Sequence, residues 1–194
     1  MNSRPDIIAV NTERPIYPQD KSRWFGKARG KKLRIVFSFY SPDGNEISMP
    51  FASMSAYLKR DFPWVEVLLK PILMLRDAEE YSPEKFAESI KDTKADLIAF
   101  SIMSPHWYPM EPYLEVLKAQ LPDLPILVGG YQAMLSQEQT IENPNVDFIC
   151  VGDGEYAIAN IAEHLLGKKD GPVDGMWEKL SDGSVYQTEP HQIG

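Results

Sequence analysis

Five short apolar segments alternate with five segments of helical periodicity, and this alternation constrains the fold more than any other feature. Alternation of this kind predicts parallel strands joined by right-handed crossovers, with helices on both faces of one sheet. We therefore predict an α/β fold, a flavodoxin-like (Rossmann-like) doubly wound five-stranded parallel sheet of order 2-1-3-4-5 with a small C-terminal hairpin. The predicted strands are 32–40, 65–70, 96–103, the run that ends at Gly129, and 146–151. The predicted helices are 49–60, 84–91, 111–121, a short helix or turn at 136–141, and 156–166.

Differences in composition and periodicity along the chain predict three regions. Residues 1–31 have mixed charge and little periodicity, so we expect an extended N-terminal lead-in. Residues 32–170 contain all five strands and form the α/β domain. Residues 171–194 are predicted to form a hairpin around the turn at Asp182-Gly183, followed by a linker.

Composition excludes several classes of protein. A net charge of -8 argues against a nucleic-acid binder, because such proteins usually present a basic face. No stretch is long and apolar enough to span a bilayer, so we predict no membrane span. Cys150 is the single cysteine, which leaves no disulfide framework and no multi-cysteine metal site. The cytoplasm is the expected compartment.

The run from Leu124 to Val128 is apolar on both faces and stops at two adjacent glycines, Gly129 and Gly130. Glycine permits a positive φ and removes the Cβ that would hold a ligand away from the main chain. Ligands of open α/β sheets bind outside the carboxyl ends of the strands. The glycine pair therefore predicts either a tight turn or a ligand that lies against the backbone at this edge.

Two more loops leave the same edge of the predicted sheet. Asp43, Asn45 and Ser48 follow the first strand, and Ser101 and Met103 end the third. In order and spacing these residues, with the two glycines, resemble the cobalamin-binding domain family, whose pattern is D-x-H-x-x-G, then S-x-L, then G-G. The resemblance implies that cobalamin binds here, with its nucleotide tail between the first and fourth strands, past Ser101 and the glycines.

The chain departs from that family pattern at the cobalt ligand. In the family the histidine supplies the lower axial ligand, whereas this chain has Asn45, and an amide is a poor ligand for cobalt. We therefore expect a base-off, His-off state and no protein metal ligand. Ser48 replaces the glycine of the pattern. The resemblance and these departures, together with the loops nearby, give the following predicted cofactor-binding residues: Asp43, Asn45, Glu46, Ser48, Ser101, Met103, Ser104, Gly129, Gly130, Tyr131, Gln132, Gly152, Gly154 and Glu155.

A second resemblance concerns the segment 147–155, DFICVGDGE. It is similar to the corresponding segment of cobalamin-dependent radical S-adenosylmethionine enzymes, in which a cobalamin domain precedes a barrel holding an iron–sulfur cluster on a C-x-x-x-C-x-x-C motif. The resemblance implies the cofactor module of a methyltransferase, with S-adenosylmethionine and a 4Fe-4S cluster in a barrel in cis or in trans. With one cysteine this chain cannot ligate such a cluster, so we expect it not to be catalytic alone, and its sequence identifies no catalytic residue.

Other interpretations of the same residues stay open. The loop that contains Asp43 is also ordinary turn chemistry, and His106 is a secondary candidate for contact with cobalt or substrate. A ligand-sensing or interaction module with a receiver-like fold would need clustered acidic residues after the first strand, which 39–41 lack. A degenerate domain that keeps the fold and has lost the cofactor is a third possibility.

Overall fold

The structure, a computed structural model, describes residues 16–28, 32–44, 47–74, 81–169 and 171–190, and the backbone of residues 7–8. The strands in this part of the chain are β1 (Ile7–Ile8), β2 (Leu33–Ser41), β3 (Val65–Leu69), β4 (Ile72–Leu73), β5 (Leu97–Ser101), β6 (Ile126–Gly129), β7 (Phe148–Cys150), β8 (Met176–Lys179) and β9 (Val185–Gln187). The α-helices are α1 (Met49–Asp61), α2 (Pro83–Thr93), α3 (Trp107–Gln120), α4 (Tyr131–Leu135), α5 (Gln137–Glu142) and α6 (Gly154–Leu165).

One mixed sheet runs through the molecule in the order β1-β9-β8-β7-β6-β5-β2-β3, and β4 pairs with the end of β2. Its central strands β3, β2, β5, β6 and β7 are parallel and reproduce the predicted order 2-1-3-4-5. The predicted C-terminal hairpin is also confirmed, since β8 and β9 pair antiparallel and β8 extends the sheet beyond β7. The flavodoxin-like prediction is therefore correct, with extra strands added at one side.

Helices cover both faces of the sheet because the buried strands are apolar on both sides. In β5, Ile98 and Phe100 pack towards α2 and α3, whereas Leu97 and Ala99 pack towards α1 and α6. Two hydrophobic cores result, one on each face. No helix within the described ranges is both long and apolar enough to cross a bilayer.

The predicted helices differ from those observed by a few residues at their ends, and two differences lie near the candidate site. Helix α3 begins at Trp107 rather than at residue 111, because the first turn of a helix tolerates prolines and Pro109 lies within it. Helix α4 directly follows Gly130 and was not predicted, since its five residues are too few to show a helical period. Both helices begin at the carboxyl edge of the sheet, where the candidate site lies.

Candidate functional site

The carboxyl ends of the central strands lie side by side, as the sequence predicted. In the register of the sheet Ser101 pairs with Phe39 on one side and with Gly129 on the other. Asp43 lies two residues beyond β2, where its carboxylate accepts a hydrogen bond from the Ser41 hydroxyl at 2.7 Å. The sheet therefore brings all three predicted loops to one edge.

A pocket of about 250 Å³ opens between this edge and the helices α1 and α6. Side chains alternate along a strand, so Ala99 and Ser101 face the pocket in β5, as do Leu127 and Gly129 in β6. Alanine, serine and glycine at these neighbouring positions leave the space open. An engineered apolar cavity of about 150 Å³ binds benzene, so this pocket has room for a bicyclic aromatic ring.

The two glycines differ in the reason why a side chain is missing. Gly130 has φ of 82°, and a Cβ there would lie 2.8 Å from the Ile102 carbonyl oxygen and 2.9 Å from its nitrogen. The turn itself therefore requires Gly130. A Cβ at Gly129 would make only ordinary contacts, at 3.6 Å from the Cys150 Cβ. Because the fold does not require glycine at position 129, the open space there is available to a ligand.

Helices α1 and α6 approach closely beside the pocket. A Cβ on Gly154 would lie 2.9 Å from the Met54 sulfur, so this glycine permits the close approach. The Ser53 hydroxyl donates to the Glu155 carboxylate at 2.9 Å, which ties the two helices together at their exposed side. Gly152, Gly154 and Glu155 all line the pocket.

The remaining predicted site residues fall into three groups. Met103 and Tyr131 line the pocket, and each is about half exposed. Ser48, Ser104 and Gln132 do not line it. Of these, Gln132 is buried and donates to Gln139 and Thr140, both at 3.3 Å, and the buried Ser104 hydroxyl has no hydrogen-bond partner among the described residues. Asn45 and Glu46 lie outside the described residues.

An apolar rim lies at the carboxyl edge of the sheet, and the sequence predicted two of its residues, Met103 and Tyr131, as site residues. The rim consists of large apolar side chains that are 42% to 73% exposed and follow the carboxyl ends of β2, β5, β6 and β7. Its members are Ile47, Met49, Met103, Tyr108, Tyr131, Met134, Leu135 and Tyr156. Exposed apolar patches mark binding surfaces more often than single exposed residues do. The available signal was apolar residues at positions that the helical period assigns to solvent.

The chemistry of the pocket is mostly that of an apolar binding site. Its Ser101 hydroxyl has no hydrogen-bond partner within the described part of the chain. Burial raises the pKa of the Cys150 thiol to about 11, and the thiol donates to the Gly152 carbonyl at 3.4 Å, so it is not a nucleophile. Among the residues that the structure describes, no group of three His, Cys, Asp or Glu could hold a metal ion. His106 ends a short 3₁₀ helix and packs its ring 5.2 Å from that of Tyr40.

A polar clamp, defined as Tyr17, Ser22, His164 and Glu178, lies towards the opposite edge of the sheet. The buried Glu178 carboxylate accepts from the Tyr17 hydroxyl at 2.6 Å and from the Ser22 hydroxyl at 2.7 Å. The same Ser22 oxygen lies 3.2 Å from His164 Nε2. Burial raises the pKa of Glu178 and lowers that of His164 to about 4. The clamp fastens the N-terminal segment to β8 and α6.

A buried ion pair lies near the clamp. Lys118 Nζ is 2.5 Å from Asp147 Oδ2 and also donates to the Leu124 carbonyl at 3.0 Å. Asp147 further accepts from the Ile126 backbone N–H at 2.8 Å. Burial lowers the pKa of Lys118, against the opposing effect of Asp147. These groups partner one another at the amino ends of β6 and β7, far along the strands from the pocket mouth.

Comparison with known proteins agrees with this geometry. A family model described as the B12 binding domain matches residues 51–162, more than half of the 194-residue chain. The anaerobic magnesium-protoporphyrin IX monomethyl ester cyclase of Cereibacter sphaeroides is 30% identical over 83 residues, which are 42% of this chain and 14% of the cyclase.

Solved structures of a larger enzyme share the fold. The cobalamin-dependent S-adenosylmethionine radical enzyme OxsB, with aqua-cobalamin and S-adenosylmethionine bound, superposes with a TM-score of 0.69 at 17% identity over 83% of this chain and 23% of OxsB. Its apo form gives 0.65 at 17% identity over 84% and 23%. The chain thus spans less than a quarter of either relative. Its matched sequence, its fold and the pocket at its carboxyl edge show that the chain belongs to the B12-binding domain family.

Proposed function

We propose that this chain binds cobalamin in a base-off, His-off state as the cofactor module of a radical S-adenosylmethionine methyltransferase-type enzyme. One observation carries the proposal: an apolar pocket at the carboxyl edge whose open space at Gly129 is not needed by the fold. In this proposal the dimethylbenzimidazole tail lies in the pocket and the corrin ring rests on the apolar rim. The compartment that we propose is the cytoplasm, because a single cysteine provides no disulfide framework of the kind found in secreted proteins.

The residues present fit such a tail. The aromatic base would contact Ala99 and Leu127, and the free Ser101 hydroxyl can donate to the ring nitrogen that base-off binding releases from cobalt. The exposed side chains of Met103 and Tyr131 would meet the corrin at the mouth. Asp43, Asn45, Glu46 and Ser48 would lie beside the ring, and the backbone around Gly130, Gly152 and Gly154 would border the tail. Ser104 and Gln132 would support the loops from behind.

The His-off proposal has its support in the sequence, where Asn45 takes the place of the family's histidine. His164 is buried in the polar clamp. His106 packs on Tyr40 and does not line the pocket. We therefore propose that neither of these histidines coordinates cobalt from below; the third histidine, His191, lies outside the described residues.

The role in methyl transfer extends beyond the chain itself. When bound, cobalamin supplies the cobalt centre that carries a methyl group between donor and acceptor. The protein orients the corrin and shields its tail. We propose that a barrel with a 4Fe-4S cluster and S-adenosylmethionine completes the enzyme, either in the same polypeptide or as a partner chain. The name of OxsB, a cobalamin-dependent S-adenosylmethionine radical enzyme, favours this family of enzymes over a sensing module, and the cyclase is likewise named as an enzyme.

Titration with hydroxocobalamin tests the proposal. We expect the folded protein to bind it and to give a base-off absorption spectrum that His106→Ala leaves unchanged. Asn45→His should shift the spectrum towards a ligated form. Folded protein that shows no spectral change at micromolar cobalamin would contradict the proposal and favour a domain that has lost its cofactor.

A variant within the pocket sharpens this test. Gly129→Val fills the open space without the backbone clash that any side chain meets at Gly130, so circular dichroism should stay native-like while cobalamin affinity falls at least about tenfold. Ala119→Val, on the exposed side of α3, is the matched control and should bind as the parent does. Equal affinity of Gly129→Val and the parent would show that the tail lies elsewhere.

A further inference from the structure

The deeper part of the pocket has apolar walls. Two residues deeper along the strands than Ser101 and Gly129, the walls are formed by the side chains of Ala99 and Leu127. Ile158 of α6 and Met176 of β8 also line the pocket, and both are 2% exposed. None of these side chains donates or accepts a hydrogen bond of ordinary strength. A ligand that reaches these walls therefore meets carbon and sulfur.

The polar side chains of the pocket are few, and most already have partners. Glu155 accepts from Ser53 at the exposed side of the two helices. The Cys150 thiol, which is a weak donor, is directed to the Gly152 carbonyl at 3.4 Å. The Ser101 hydroxyl remains, at the end of β5 beside the mouth. Among the described side chains, Ser101 thus offers an unused hydroxyl next to the apolar walls, whereas the Tyr131 hydroxyl belongs to a side chain that is 56% exposed at the mouth.

The small number of unpartnered polar side chains in the pocket suits one class of lower base better than another. Dimethylbenzimidazole, joined to ribose through one nitrogen and released from cobalt, has one free ring nitrogen and otherwise presents carbon. Adenine, the base of another natural cobamide, has three free ring nitrogens and an amino group with two donors. Burial of such groups without partners weakens binding, because each loses its hydrogen bonds to water.

We propose that the apolar walls make this pocket selective among cobamides, accepting alkylated benzimidazole tails and discriminating against purine tails. The inference rests on the proposed function, since it concerns the same pocket. It adds the ligand class to which the site is tuned. The base is distinguished by the lack of polar side chains on the deeper walls, with the Ser101 hydroxyl as the contact proposed for its free ring nitrogen.

Competition among three cobalt corrinoids tests the inference. We expect adeninylcobamide to bind at least about tenfold more weakly than cobalamin, because at least one amino donor would be buried unpaired. Cobinamide, which lacks the nucleotide tail altogether, measures the affinity of the corrin alone. Equal affinities for cobalamin and adeninylcobamide, both well above that for cobinamide, would overturn the selectivity and leave the proposed function standing. Failure of cobalamin itself to bind would instead contradict the proposed function.

A variant that adds a polar group to the apolar wall of the pocket should narrow the difference between the affinities for cobalamin and adeninylcobamide. Met176→Gln keeps the length of the side chain and places an amide against the tail, so the ratio of the two affinities should fall several-fold. Met54→Gln makes the same change on the α1 wall and serves if Met176→Gln folds poorly. Met110→Gln is the matched control, since Met110 is fully buried in the core on the other face of the sheet. An unchanged ratio in both folded pocket variants would overturn the inference.

Discussion

The two edges of the sheet bury polar groups in opposite ways. Towards the amino ends of β6 and β7, Lys118 and Asp147 pair with each other, and Glu178 accepts two hydrogen bonds within the polar clamp. At the carboxyl edge the walls are apolar, and the Ser101 hydroxyl is without a partner in the described residues. Charge therefore marks the part of the molecule that stabilises the fold. The binding end is marked instead by missing side chains and exposed apolar ones.

The buried ion pair should give the largest effect on stability. Lys118→Met removes the nearest opposite charge from the buried Asp147 carboxylate, which keeps the Ile126 N–H bond and the weaker attraction of Lys179, so the free energy of unfolding should fall by about 3 kcal/mol or more. Urea denaturation measures the change. The control is Arg60→Met at the exposed pair with Asp61, where we expect a change of about 1 kcal/mol or less. Equal stability of Lys118→Met and the parent would show that the buried ion pair does not stabilise the amino edge of the sheet.

The clamp should make stability fall in acid through His164. Its pKa is about 4 in the folded protein against 6.5 when unfolded, so below pH 6.5 the unfolded state takes up a proton that the folded state does not. Stability is therefore lost as pH falls from 6.5 to about 4, by about 3 kcal/mol at one pKa unit per 1.36 kcal/mol.

Comparison of the parent with His164→Gln isolates the part of the acid-induced loss of stability that is due to His164. Glu178 contributes with the opposite sign, because its raised pKa favours proton uptake by the folded state. Subtraction of the two stability–pH curves cancels that contribution. A constant difference between parent and variant from pH 7 to pH 4 would contradict the assignment to His164.

Alanine substitutions at the two glycines test whether the fold requires glycine at each position. Gly130→Ala forces a side chain at positive φ against the Ile102 backbone and should cost about 2 kcal/mol of stability. Gly129→Ala meets only ordinary contacts, so we expect a cost below about 1 kcal/mol. Thermal or urea unfolding of both proteins decides. A cost at Gly129 as large as that at Gly130 would mean that both glycines serve the turn.

The smallest expected effect is on binding. Ser101→Ala removes the proposed hydrogen bond to the lower base, so cobalamin affinity should fall about fivefold, or about 1 kcal/mol. Stability should stay within about 0.5 kcal/mol, because the hydroxyl has no partner among the described residues. Ser181→Ala, in the exposed turn before β9, is the control. Unchanged affinity would place the ring nitrogen away from Ser101.

The order of the central strands followed from local patterns, because each strand is an apolar run and each crossover a recognisable helix. The meeting of Ser101 and Gly129 at one edge followed in turn, since parallel strands share their carboxyl ends. The sequence pattern did not predict that a side chain would clash at Gly130 and fit at Gly129. The clash depends on how close the Ile102 backbone lies, which is a property of tertiary packing. The clamp was equally hidden, because Tyr17 and Glu178 are 161 positions apart.

The apolar rim has a consequence for the behaviour of the chain in water. Tyr108 and Leu135 are 70% and 73% exposed, and contact between such apolar surface and water is unfavourable in free energy. A corrin ring, a neighbouring domain or a second copy would each relieve that cost. The light that the cofactor-free protein scatters per unit mass should therefore rise with concentration, and added cobalamin should lower it if the ring shields the rim.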